Sequence, residues 1–142
     1  MKPRLRPSPS PRRPKSGWRQ ALGGRSHREG HAAEWIAAVW LMLKGYQILA
    51  FRLKGRGGEI DILAKRGRIL AVVEVKRRRS IEAAILALGP EQHGRLAAAG
   101  RAVVHSRPSL QGLMLRIDMV ALAPRRFPRH LRGVTTTGTD MA

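Results

Sequence analysis

The chain has 142 residues, 28 Lys and Arg against 9 Asp and Glu, a net charge of +19 and 43% apolar residues. That apolar share is enough for one packed domain and excludes a wholly disordered chain, while the charge asks for an anionic partner, nucleic acid before an anionic membrane or an acidic protein. The absence of cysteine excludes a disulfide framework and thiolate metal sites, and suits a reducing cytosol.

Residues 1–28 hold nine Lys or Arg, no acid, and five prolines within the first fourteen positions. Such a stretch cannot bury enough surface to offset its ordering entropy, so it reads as a disordered basic arm. The longest apolar run is "AAEWIAAVWLML", 32–43. It falls short of the roughly 18 residues of a membrane span. With Gly45 as a stop signal it predicts a buried helix over about 28–43, with Trp35 and Trp40 in the core.

"YQILAFRL" (46–53) predicts a strand and "KGRGG" (54–58) a turn. That glycine-rich turn precedes a strand and lacks Gly-Lys-Ser/Thr, so it is no phosphate-cradling loop. "EIDILA" (59–64) and "RILAVVEVK" (68–76) form a hairpin pattern. Residues 81–88 are apolar and fit a helix or a strand. Pro90 suits the first turn of a second long helix, to about His105. "LMLRIDMVAL" (113–122) is a last strand, stopped by Pro124, and residues 124–142 read as a loose tail. The result is an α/β domain over 29–123 with the order α-β-β-β-α-β, a mixed sheet flanked by helices.

Three of the nine acids, Glu59, Asp61 and Glu74, sit in the hairpin. Alternation puts Glu59 and Asp61 on one face, with Ile60 and Ile62 on the other, and puts Glu74 with Lys76. A two-residue Gly67-Arg68 turn sets Asp61 across from Glu74, Cβ atoms roughly 5 Å apart; a four-residue loop sets Glu59 there instead. Facing carboxylates repel, and Lys76 alone does not balance three of them. A divalent cation does: one or two carboxylates, with waters left over, is the Mg²⁺ pattern. Glu34 shares a helix face with Ala37, Ala38 and Leu41 and points towards packed structure, where a carboxylate needs a partner or a metal.

Asp61, twelve intervening residues, then Glu74-Val75-Lys76 resembles the bipartite PD-(D/E)xK motif of the restriction-endonuclease-like nucleases. The ordered series "EGHAAEWIAAVWLMLKGYQIL", "GGEIDILA", "VVEVKRR", "GPEQHGRL" and "LRIDMVAL", from Glu29 to Leu122, resembles the YraN-like family of bacterial predicted endonucleases. The resemblance implies a restriction-endonuclease-like αβββαβ core in a bacterial cytoplasmic protein. It implies Asp61 and Glu74 as metal ligands, Lys76 as the catalytic lysine and Glu34 as the helix acid. Ile60 stands where the superfamily's name has proline, Gln92 where a lysine is expected after Pro90, and the C-terminal "HLRGVTTTG" lacks the expected Asn-Ala-aromatic ending.

The expected function is therefore a Mg²⁺- or Mn²⁺-dependent nuclease acting on DNA, branched or single-stranded. Asp61, Glu74, the Val75 carbonyl and Glu34 hold the ion, and Lys76 positions the water. Lys54, Arg56, Arg77, Arg78 and Arg79 hold the phosphate backbone, while Glu59 and Gln92 give support. A homodimer is compatible with this reading. The alternative is a non-catalytic nucleic-acid-binding module of the same fold. "HREGH" spaces His27 and His31 like zinc ligands but lacks the His-Glu-x-x-His order and a third ligand. Asp118 and Arg116 share a strand face and are expected to form a structural ion pair. With 4% aromatics, recognition is expected through backbone and shape, with little base stacking.

Overall fold

The computed structural model describes residues 17–55 and 58–134, with side chains described from residue 30 onward. The proline-rich part of the expected arm (1–16), Arg56 with Gly57, and the end of the tail (135–142) lie outside the described residues.

The first helix, α1 (Gly17–Leu43), starts well before residue 28, so residues 17–28 are helical and do not belong to the arm. The prolines that forbid a helix end at Pro14. From Trp18 to Leu22 the chain has ordinary helix formers, and the glycines beyond cost only about 1 kcal/mol each. The helix ends on Gly45 at φ +93°. The Tyr46 N–H reaches back to the Leu41 carbonyl and the Gly45 N–H to that of Met42, both at 3.0 Å. That pair of bonds is a Schellman cap, which favours glycine at the left-handed position. Among the described residues no helix is long and apolar enough to cross a membrane.

Five strands form one sheet in the order β1 (Gln47–Gly55), β2 (Gly58–Arg66), β3 (Ile69–Arg77), β4 (Met114–Leu122) and β5 (Arg129–Leu131). Only the β3–β4 pair is parallel. Its crossover carries α2 (Ile81–Leu86), α3 (Pro90–Ser106) and a short 3-10 turn at Pro108–Leu110. The αβββαβ core expected from the sequence is present, and the mixed sheet is flanked by helices on both faces.

Two elements add to that core. The ambiguous segment 81–88 becomes α2, capped by the Ser80 hydroxyl, which accepts the Ala83 N–H at 3.0 Å. Within the expected loose tail, β5 pairs with β4. Asp118 anchors it. The His130 Nε2 lies 2.7 Å from one Asp118 oxygen and the Gly133 N–H donates to the other at 3.0 Å. A three-residue strand held by a distant carboxylate leaves no periodic trace in the sequence.

One sheet face packs on α1 through Ala33, Ala37, Ala38 and Leu41 against Ile62, Ala64, Ala71 and Val73. The other packs on α3 through Leu96, Ala99 and Val103 against Ile60, Leu63, Leu70 and Val72. The expectation of a buried α1 with Trp35 and Trp40 in the core is corrected here, Trp40 being half-buried and outside the core clusters. Its small residues face the sheet, so the large ones point out: Trp35 is 59% exposed and Leu43 78%, with Ile36, Val39 and Met42 also open. Trp35 is not core; its ring stacks 5.3 Å from Phe51.

A second correction concerns β2. Ile60 and Ile62 do not share a face, since Ile60 joins the α3-side cluster and Ile62 the α1-side cluster. The cause lies across the ladder. Phe51 pairs with Ile62 and Leu53 with Ile60, so Arg52 stands opposite Asp61. Arg52 has φ +48°, a left-handed conformation inside a strand. That kink breaks the alternation on both strands at the Arg52–Asp61 level.

Candidate active site

The β2–β3 turn is the two-residue one: Arg66 pairs with Ile69, and Gly67 takes φ +58° as the first central residue. The ladder closes as far as Ile62–Val73 and then opens. Continuing the register sets Asp61 across from Glu74. Asp61 turns into the gap, and its Oδ2 accepts the Val75 N–H at 2.9 Å. Because a residue's N–H and C=O point to the same side of its strand, the Val75 carbonyl faces the same gap.

Glu74 is 6% exposed. Its Oε1 accepts from Gln92 Nε2 at 2.7 Å and lies 3.2 Å from the Lys76 ammonium. Gln92 comes from the first turn of α3, which Pro90 starts. The amide occupying the expected lysine position therefore orients Glu74 by a hydrogen bond. Lys76 lies on the face of Glu74, as alternation predicts.

Burial pushes the Glu74 carboxyl up to about 7, and the neighbouring Asp61 carboxylate adds to the rise, while Lys76 opposes it. Burial also raises Asp61, against the Val75 N–H that favours its ionised form. The two carboxyls are close enough to share a hydrogen bond. Such a pair holds a proton unless a cation replaces it.

Asp61, Glu74 and Val75 line a cleft of about 390 Å³ with Gly30, Ala33 and Glu34 of α1 and with Arg77 and Arg78. Glu34 is thus brought to the site, but its Oε2 is engaged by Arg52 Nε at 2.8 Å. Burial raises its pKa, and Arg52 opposes the rise. Among the described residues no group of three or more Asp, Glu or His converges as an ion-holding set. Asp61 and Glu74 are the two acids that meet in the gap, and Glu34 lines the same cleft in an ion pair with Arg52. Two carboxylates and a carbonyl, with room for water, fit Mg²⁺ or Mn²⁺, which keep several waters.

The other expected residues are spread more widely. Glu59 is exposed at the end of the β1–β2 ladder, opposite Lys54, and acts on Asp61 only through its charge. Lys54 lines a separate hollow on the α3 side with Leu53 and Val103. Arg56 and the His27 side chain lie outside the described residues. Arg79 is turned to a neighbouring cleft with Ser80. Asp118 is structural, as expected: Arg116 donates two bonds at 2.7 Å and His130 contributes a third contact. Burial alone would raise its pKa, but these partners hold it near 2. Lys44 Nζ donates to His130 Nδ1 at 2.6 Å, which leaves the proton on Nε2, facing Asp118.

Sequence reasoning missed Arg52. The available signal was a lone arginine within an apolar strand, and nothing in that pattern gives its left-handed backbone or its Glu34 partner.

The fold and the site define an αβββαβ protein with an acidic pair where two central strands part, walled by a helix acid and arginines. Residues 33–122 match the family described as "Uncharacterised protein family UPF0102". The chain belongs to that family, the YraN-like family. It is 51% identical over 116 residues to a UPF0102 protein of Caulobacter vibrioides strain NA1000 / CB15N, covering 82% of this chain and 93% of that one. A UPF0102 protein of Caulobacter sp. strain K31 is 50% identical over 123 residues, 86% of this chain and 88% of its own. One from Mesorhizobium japonicum is 46% identical over 107 residues, 75% and 86% of the two chains.

Proposed function

We propose that this protein is a Mg²⁺- or Mn²⁺-dependent nuclease that hydrolyses phosphodiester bonds of DNA in the bacterial cytoplasm. The observation that carries the reading is the buried Asp61–Glu74 pair, both carboxyls raised by burial and Glu74 raised further by Asp61, opening on a cleft with Arg77 and Arg78. Carboxyls shifted by burial and by a charged neighbour in a cleft are the pattern in which functional acids gather.

Asp61, Glu74 and the Val75 carbonyl would hold the ion. A bound divalent ion supplies Lewis acidity at a phosphate and counter-charge for the transition state. Gln92 fixes the Glu74 carboxyl in one orientation. Lys76, 3.2 Å from that carboxyl, orients the attacking water through its N–H donors and offsets developing negative charge. Arg77 and Arg78 hold the strand against the cleft. A second copy is the partner best suited to the open apolar face of α1, with Val39 midway between Trp35 and Leu43.

The test is cleavage of duplex, single-stranded, flap and four-way-junction DNA with Mg²⁺ or Mn²⁺. Wild type is expected to cleave, and Asp61→Asn and Lys76→Ala to lose at least ~100-fold in rate while still binding DNA. Equal binding by all three proteins with no cleavage under either metal would replace the nuclease with a non-catalytic nucleic-acid-binding module.

A further inference from the structure

A second cleft, of about 440 Å³, opens beside the first. Arg79, Arg126 and Arg129 line it, with Ser80, Glu82 and the ring of Phe127. Glu82 brings one negative charge against three guanidinium groups. Phe127 is 83% exposed, although the chain has only two phenylalanines. Its ring leans on Trp40, centroids 6.1 Å apart and planes tilted by 31°. The phenyl ring is therefore supported from the protein side and open on the other.

The loop that presents it is tightly closed. Pro124 and Pro128 bracket it, the Ala121–Arg129 pair of the β4–β5 ladder closes it, and the Arg126 N–H donates to the Ala123 carbonyl at 3.3 Å. Arg125 within it holds φ +63°. A non-glycine residue in that region carries strain of about 1–3 kcal/mol, and such strain gathers at ligand clamps. Residues 124–127 are all exposed, so no core packing offsets it.

The two clefts are joined by consecutive residues. Arg77 and Arg78 line the first, Arg79 and Ser80 the second. The consecutive residues Arg77 to Ser80 run from one cleft to the other, so a strand with a phosphate in the first cleft has a continuous basic path towards the second. An open aromatic face among guanidinium groups suits a base and its phosphates. A duplex keeps its base faces stacked inside and cannot offer one to this ring.

We propose that the cleft between α2 and the β4–β5 loop binds an unpaired nucleotide of single-stranded DNA, its base on Phe127 and its phosphates on Arg79, Arg126 and Arg129. This deepens the nuclease reading and rests on it for its sense: the substrate has an unpaired strand beside the scissile phosphate. It also revises the expectation of recognition with little base stacking.

The experiment is fluorescence anisotropy of labelled oligo-dT and of a fully paired two-strand duplex without loop or overhang, in EDTA so that cleavage does not enter. Phe127→Ala is expected to weaken oligo-dT on the order of tenfold and to leave the duplex within about twofold, with Phe127→Trp restoring the difference. Arg126→Gln with Arg129→Gln is expected to weaken oligo-dT more than the duplex. No loss in Phe127→Ala, or the same loss for both ligands, would overturn the site and leave a general basic patch. Polyglutamate displacing oligo-dT as well as unlabelled oligo-dT would overturn it in favour of an acidic protein partner. Because the readout is metal-free binding, an absence of cleavage in the substrate panel refutes the nuclease reading and leaves this result standing by itself.

Discussion

In metal-free protein the Glu74 carboxyl sits near 7 instead of its ordinary 4.5, because burial and Asp61 disfavour its charge. A carboxyl raised on folding contributes stability that is complete below pH ~4.5 and is lost as pH climbs through about 7. At about 1.4 kcal/mol per unit, the loss is roughly 3 kcal/mol between pH 5 and pH 8. Asp61 is shifted in the same direction and adds to it. Asp118, held near 2, loses its contribution only in strong acid, well outside this window. The assay is urea unfolding in EDTA at fixed ionic strength across pH 5–8, on wild type and Glu74→Gln. Wild type is expected to lose stability with rising pH, and Glu74→Gln to lose much less, since the amide cannot ionise. Adding Mg²⁺ should restore wild type more at pH 8 than at pH 5, because the ion competes with the proton for the pair. Equal pH slopes in the two proteins would refute the buried, mutually repelling pair.

Two further predictions concern other parts of the molecule. At an ordinary strand position Ala is more stable than Gly by about 0.5–1 kcal/mol; at Arg52, with φ +48°, the order should reverse by about 1 kcal/mol, both variants having lost the Glu34 ion pair. Thermal unfolding of Arg52→Gly and Arg52→Ala decides this, and Ala proving the more stable would mean that β1 is not kinked there. Trp35, Ile36, Val39, Met42 and Leu43 form one exposed apolar stripe along α1, and a second copy would cover it as the apolar centre of an interface that buries ~800 Å² on each partner. Light scattering should therefore show a dimer for wild type and a monomer for Val39→Glu; a wild-type monomer at high micromolar concentration would remove the second copy as the partner of that face.

Much of the site was legible because it follows local rules. Gly67-Arg68 fits a two-residue turn, and that turn fixes the register that brings Asp61 to Glu74. Period-two alternation puts Lys76 beside Glu74, and helical spacing turns Glu34 inward with Ala37 and Ala38. The exposure of Trp35 was not legible, since an apolar run states what avoids water and says nothing of whether a neighbour is there to cover it. Nor was β5, whose anchoring at Asp118 joins residues distant in sequence.

The parity of Ile60 and Ile62 failed for a different reason, and the failure bears on function. Alternation is the strongest rule a strand obeys, and it breaks at the level of Asp61 because Arg52 adopts a conformation its side chain disfavours. A regular β2 would carry Asp61 on the face of Leu63, towards α3, and away from the α1 wall that Glu34 provides. The kink instead turns Asp61 into the gap beside Val75, where it faces Glu74, and the same arginine restrains Glu34. A strained arginine is a poor choice for a strand that only has to pair. Its place opposite Asp61 fits local strain that sets an acid where regular structure would not.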